Sequence, residues 1–383
     1  MTNPTVATPV SPAAPVRSAT PALKGARLRA MDSLRLVAAL AIVVFHFATR
    51  DHGRWGDQLP HELFGAFSHV VKYGYAGVHL FFTISGFVIL MSVWGRTPRQ
   101  FLASRISRLY PAFWVAVLAT ATLRWLWPSF ENRSITEVLA NLTMFHEPFE
   151  VQHVDGVYWT LWVEMQFYLV MLVFAFIGIT LRRVLAVAAI LPAISTAMVM
   201  LLPGSDAKFT ILSWAAMFGT GMALYVIYSR GHTWQRWAIV ALNSAQAVLI
   251  AATHKTEAID AVAGGEPTSP LVLALVVPAV IAAVAVVALV PAIRDLDWRV
   301  LTTLGSLTYP LYLIHEYFGW ALIEVLHPSI GKWVTLLIAV AASLALAWLI
   351  HRFVEQPVHR PLRKALEGPP RTSRAVTGPP RTS

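Results

Sequence analysis

Five ionisable side chains lie in stretches of this chain that are otherwise apolar enough for a bilayer: His46, His79, Glu164, His315 and Glu316. An imidazole exchanges a proton near neutral pH, and a carboxylate can orient or charge-balance it. Ionisable groups at membrane depth are costly and usually face a cavity or a partner. At about 1.5 Å per residue, all five fall near the middle or outer half of their stretches. Three imidazoles and two carboxylates in one layer predict a polar chamber able to move protons. The competing reading is interhelical hydrogen bonding that only holds a bundle together. Nothing in the spacing of the three histidines favours a zinc site.

A second group is cationic. Arg35 opens one apolar stretch, and Arg105 and Arg108 stand at the start of another, three residues apart on one helical face. Such a pair can form a fork for phosphates, although Arg96 and Arg99 in the same region show how loops are basic for topology alone. Between the two groups runs Gly77-Val-His-Leu-Phe-Phe-Thr-Ile-Ser-Gly-Phe87. Gly77 and the Ser85–Gly86 pair allow close backbone approach, or simply a small-residue packing seam. Ser85 as a nucleophile needs a base beside it.

The elements that must position these residues are transmembrane helices. Of the 383 residues 56% are hydrophobic and 13% charged, with mean hydropathy +0.59. Ordinary soluble domains carry about 25% charged residues, and a chain this apolar cannot bury its surface in one water-soluble globule. The absence of cysteine excludes disulfides, thiolate metal sites and a thiol nucleophile. Ten apolar stretches are each about long enough to cross a bilayer: Leu34–Ala48, Tyr73–Val93, Leu109–Trp127, Val157–Gly178, Val184–Leu202, Phe209–Tyr228, Trp237–Thr253, Leu271–Pro291, Leu301–Val325 and Trp333–Ile350. With the N-terminus in the cytoplasm, most of the 30 Lys and Arg fall on the inner side and most acidic residues on the outer. The net charge of +10 therefore reads as basic cytoplasmic loops, with no nucleic-acid partner. The expected fold is an all-α polytopic membrane bundle of about ten helices, both termini cytoplasmic. Residues 1–28 read as a disordered tail, 29–360 as the membrane domain, and 361–383, with GPPRTS twice, as a second tail.

Six segments in order give the chain a more specific character. Met31-Asp-Ser-Leu-Arg-Leu begins a helix in which Arg35 is followed by ten residues and then His46. Gly77–Phe87, Arg105-Ile-Ser-Arg-Leu-Tyr-Pro111, Trp159-Thr-Leu-Trp-Val-Glu-Met-Gln-Phe-Tyr168, Tyr309-Pro-Leu-Tyr-Leu-Ile-His315 and Phe353-Val-Glu-Gln-Pro357 follow. Together they resemble the integral-membrane acyltransferase family 3, which includes polysaccharide O-acetyltransferases. Leu36 stands where many members have Gly, Met165 where many have a second Glu, and His79 where many have Asp.

The resemblance implies transfer of an acyl group, usually acetyl, from cytoplasmic acyl-CoA to a hydroxyl on a cell-envelope glycan, a lipid-linked sugar or a glycosylated metabolite, by a multi-pass plasma-membrane protein. It implies His46, Glu164 and His315 as catalytic residues, with His46 the base or brief acyl carrier and Glu164 orienting an imidazole. Arg35, Arg105, Arg108, Ser85 and Gly86 would serve the acyl-CoA, and no metal is expected. Arg35 and His46 are about 16 Å apart along a helix, comparable with the acylated arm of coenzyme A. Ten spans and a polar midplane layer also suit a secondary transporter, against which stands the lack of an internal repeat. A purely structural scaffold leaves the intramembrane His and Glu residues without a role.

Overall fold

The computed structural model describes residues 29–201, 210–296 and 299–368, and these contain helices, turns and no strand. The long helices are α1 (Arg29–Ala48), α2 (Gly77–Val93), α3 (Pro98–Leu126), α4 (Trp159–Ile177), α5 (Leu181–Leu201), α6 (Ala215–Arg230), α7 (Trp234–Ile250), α8 (Pro270–Leu289), α9 (Arg299–Ile330), α10 (Lys332–Ile350) and α11 (Gln356–Glu367). Among the described residues nine helical segments are long and apolar enough to cross a membrane. The remaining predicted stretch, Leu301–Val325, lies on α9, which is not among the nine. At 32 residues α9 is ample to span the hydrocarbon. Its polar interior, centred on His315 and Glu316, dilutes its hydropathy. It packs mainly against α1 and α10, as a member of the bundle.

The segment Ala66–Val93, which contains α2, is the centre of the bundle: 78% of its most apolar window is buried, against 22% for Leu181–Leu201. Large apolar side chains such as Val173, Phe176 and Leu275 are left facing outward, as expected where the surrounding solvent is lipid. Backbone proximity fixes α2 against α6. A Cβ on Gly86 would run into the Phe218 carbonyl oxygen, and one on Gly221 would fall 2.7 Å from Phe87 N. Only glycine permits that crossing.

Two boundaries differ from the sequence reading. Helix α3 begins at Pro98, capped by Thr97, whose hydroxyl accepts from Gln100 N at 3.3 Å while Gln100 Oε1 accepts from Thr97 N at 3.1 Å. The cap starts the helix well before the hydrophobic run, so Arg105 and Arg108 lie within it. At the other end, α10 continues through a π-helical turn, His351–Glu355, into α11. The segment expected to become a tail at residue 361 thus stays helical to Glu367, because it docks on α3: Arg99 Nε donates to Leu366 O at 2.8 Å. Residues 1–28 and 369–383, both expected to be tails, lie outside the described residues.

Candidate active site

Five of the eight sequence-predicted site residues line one cavity with about 890 Å³ of empty space, its open mouth included. Helix α1 brings Arg35, α2 Ser85, α3 Arg105 and Arg108, and α4 Glu164. Tyr168, Tyr309 and Tyr312 complete the polar wall, and Phe81, Phe82, Val88 and Ile89 the apolar one. Ser85 Oγ donates to Glu164 Oε1 at 2.7 Å. Arg105 lies over the rings of Phe101 and Tyr168, at 5.8 and 5.7 Å from their centres, and Arg108 is exposed. Arg35 approaches Asp32 at 3.8 Å. A cavity that joins apolar side chains to three guanidinium groups suits a ligand with an apolar or extended arm and an anionic head.

Of the other two predicted catalytic residues, His46 lines an adjoining cavity with Arg50, Tyr75, Gly156, Val157 and Trp159, and His315 is off its wall, against His46. The two cavities share Val78 and Tyr312. Tyr312 is held there because its hydroxyl accepts from Thr160 Oγ1 at 2.8 Å and donates to Val157 O at 3.2 Å.

The hydrogen bonds define the tautomers of the two histidines. His315 Nδ1 faces two carbonyl oxygens, Leu311 O at 3.1 Å and Tyr312 O at 3.0 Å. A carbonyl only accepts, so Nδ1 carries the proton. In the neutral ring His315 Nε2 is then an acceptor, and His46 Nδ1, 2.9 Å away, donates to it. That leaves the lone pair of His46 on Nε2, the tautomer a general base needs. Glu316 Oε2 lies 3.5 Å from His46 Nδ1, and Glu316 Oε1 lies 3.1 Å from Arg50 Nη1. Trp320 Nε1 donates to His46 O at 3.3 Å and fixes the backbone.

The single layer expected from sequence thus divides in two. His46, His315 and Glu316 meet, but Glu164 turns to Ser85 in the neighbouring cavity, and the carboxylate beside the imidazoles is Glu316. His79 joins neither cavity; it packs edge-on against Trp214 with ring centres 5.0 Å apart. Gly86 lies in the α2–α6 seam rather than on the cavity wall, since its free face is taken by the Phe218 backbone.

Two residues enter that the sequence reading did not single out. Arg50 stands four positions after His46, just beyond the end of α1, and that spacing was a usable signal. Asp155 had none: it reads as a turn residue, and its Oδ1 does accept from Val157 N at 3.2 Å. Yet it is wholly buried, as is Glu316, and a Cβ on the next residue, Gly156, would fall 2.8 Å from Glu316 Oε1. Burial first, then the nearby Glu316 charge, pushes the Asp155 carboxyl well above the usual carboxylate range, against the pull of Val157 N–H, Arg50 and Arg124.

The family model described as an acyltransferase domain, that of acyltransferase family 3, matches residues 28–352. The chain belongs to this family: it is a multi-pass membrane acyltransferase. Neither a curated protein nor a solved structure matches it.

Proposed function

We propose that the chain transfers an acyl group, acetyl in the simplest case, from acyl-CoA to a carbohydrate hydroxyl: that of an envelope glycan, a lipid-linked sugar or a glycosylated metabolite. The observation that carries this reading is the meeting of the two cavities at Val78 and Tyr312. One cavity offers Arg35, Arg105 and Arg108 to phosphates from the side assigned to the cytoplasm. The other offers the bare Nε2 of His46 to a hydroxyl. A thioester threaded through the first would reach the wall of the second.

His46 Nε2 takes the proton of the acceptor hydroxyl as its oxygen attacks the thioester carbonyl carbon. The C–O bond forms, the C–S bond breaks, and the thiolate leaves and takes up the proton as coenzyme A thiol. During transfer the imidazolium of His46 is stabilised by Glu316, and His315 holds the ring. Binding the donor along one fixed axis supplies the proximity term.

The test is turnover in lipid nanodiscs, following release of coenzyme A thiol from acetyl-CoA against a panel of sugars and lipid-linked glycans. Acceptor-dependent thiol release, absent in His46→Gln, is expected. Solute movement without thioester consumption by any acceptor would overturn the reading.

A further inference from the structure

Outside both cavities, the loop between α3 and α4 gathers His146, Glu147 and His153. A ligand atom from each lies within 4.8 Å of the others. The sequence His146-Glu147-Pro148-Phe-Glu150-Val-Gln-His153 explains how eight residues achieve this. Pro148 starts a 3₁₀ turn over Glu147–Phe149, and Glu150 takes the left-handed conformation at φ 55°. Val151 N donates back to His146 O at 3.3 Å, closing the loop so that His153 returns over His146.

The positions of these groups are set from outside the loop. Asn141 Nδ2 donates to Gln152 O at 2.9 Å, and Asn141 Oδ1 accepts from Val154 N at 3.0 Å. Arg124 Nη1 donates to Val154 O at 2.6 Å, and Arg133 Nε to His153 O at 3.0 Å. Arg133 is also engaged by Glu131 at 3.0 Å. Within the cluster, His146 Nε2 and His153 Nδ1 face each other at 2.6 Å, and His153 Nε2 lies 2.9 Å from Glu147 Oε2. His146 is 1% exposed, and its Nδ1 has no hydrogen-bond partner among the described residues.

Two imidazole nitrogens this close share either a proton or a cation. We propose that His146, Glu147 and His153 bind a divalent transition-metal ion, Zn²⁺ fitting best, as a clip on the loop that carries Asp155 to Glu316. Two histidines and one carboxylate are a common zinc set that leaves a fourth position for water. At Zn–N distances of about 2.0–2.1 Å, seating the ion between His146 Nε2 and His153 Nδ1 parts the rings by less than about 1 Å and displaces the shared proton, while Glu147 turns from His153 Nε2 to reach the ion. The ion sits on a side-chain set that takes no part in the proposed acyl transfer, so the two readings fail separately.

The experiment is Co²⁺ and Zn²⁺ titration of the untagged full chain in nanodiscs, with Co²⁺ followed by its visible d–d bands. One equivalent of Co²⁺ with a low-symmetry spectrum is expected, displaced by Zn²⁺, together with a Zn²⁺-dependent rise in unfolding temperature. His153→Ala and Glu147→Gln should each weaken the ion at least tenfold and remove the thermal rise. Should a variant fail to insert, the wild type still decides the matter. Wild-type protein that binds no Co²⁺ and shows no thermal response to Zn²⁺ would overturn the proposal. So would variants that bind as tightly as wild type, leaving the cluster as a hydrogen-bonded loop strut.

Discussion

His46 Nδ1 lies 2.9 Å from His315 Nε2, and the planes of the two rings differ by only 7°. Nearly parallel planes, ring centres 5.1 Å apart and nitrogens this close describe two imidazoles meeting edge to edge, not face to face. The hydrogen bond therefore runs in both ring planes, and the His315 tautomer, set by two carbonyls of α9, dictates that of His46. A residue of the ninth long helix thus selects the reactive nitrogen on the first.

That relationship makes His46 the most sensitive position. His46→Ala and His46→Gln should each lower turnover at least about a hundredfold, the contribution of a general base. Insertion and acyl-CoA binding should persist. Steady-state thiol release and donor binding by calorimetry check this together. Near-normal turnover in His46→Gln would make His46 a packing residue.

His315 acts through His46, and its variants should separate by chemistry rather than size. His315→Gln retains an oxygen that can accept from His46 Nδ1, whereas His315→Leu leaves that N–H only Glu316 Oε2, 3.5 Å away. His315→Leu should therefore lose more turnover than His315→Gln, with KM for the donor little changed in both. Equal losses, or a loss confined to KM, would count against tautomer control.

Much of this was legible in the sequence because membrane helices write their length and polarity openly. Arg35 and His46, eleven residues apart on one helix, could be placed at two depths by counting. What could not be counted was rotation about each helix axis. Glu164 and Glu316 share a depth range, but only tertiary packing turns one toward Ser85 and the other toward His46. Ser85 and Gly86 are neighbours in sequence and point to opposite surroundings for the same reason. Asp155 was invisible because its turn chemistry is real and its second role depends on α9. The helical stretch of α11 past residue 361 was missed because its stability comes from docking on α3, which no local pattern records.

The donor cavity can be tested apart from the chemistry. Arg105→Ala and Arg108→Ala should each weaken acyl-CoA binding by about 1.5–3 kcal/mol, as for a hydrogen bond to a charged group. The loss should shrink at high salt for Arg108, which is exposed, more than for half-buried Arg105. Unchanged affinity in a folded double variant would reduce both to topology signals.

Gly86 supplies a contrast with Ser85, one residue away. A methyl group at Gly86 meets the Phe218 backbone, which cannot swing aside as a side chain could. Gly86→Ala should cost about 1–3 kcal/mol of stability, typical of overpacking, read as a lower unfolding temperature in detergent. Ser85→Ala leaves the seam untouched and should spare stability while altering donor KM, since it removes the hydrogen bond to Glu164 in the cavity. Loss of stability in Ser85→Ala with none in Gly86→Ala would reverse these assignments.

The last prediction concerns Asp155 and the sign of its linkage. Its folded pKa is raised above the unfolded value of about 3.9. Between those two values the folded chain keeps a proton that the unfolded chain has released. Stability from this group is therefore greatest below the unfolded pKa and declines as pH rises toward the folded one. Asp155→Asn has no such proton to lose and can still accept from Val157 N. The difference in unfolding temperature, wild type minus Asp155→Asn, should thus fall as pH is raised from 4 upward. The slope should shrink but persist in the Glu316→Gln background, because burial, the larger cause of the shift, remains. A pH-independent difference would mean that Asp155 is ionised in the fold, balanced by Arg50 and Arg124.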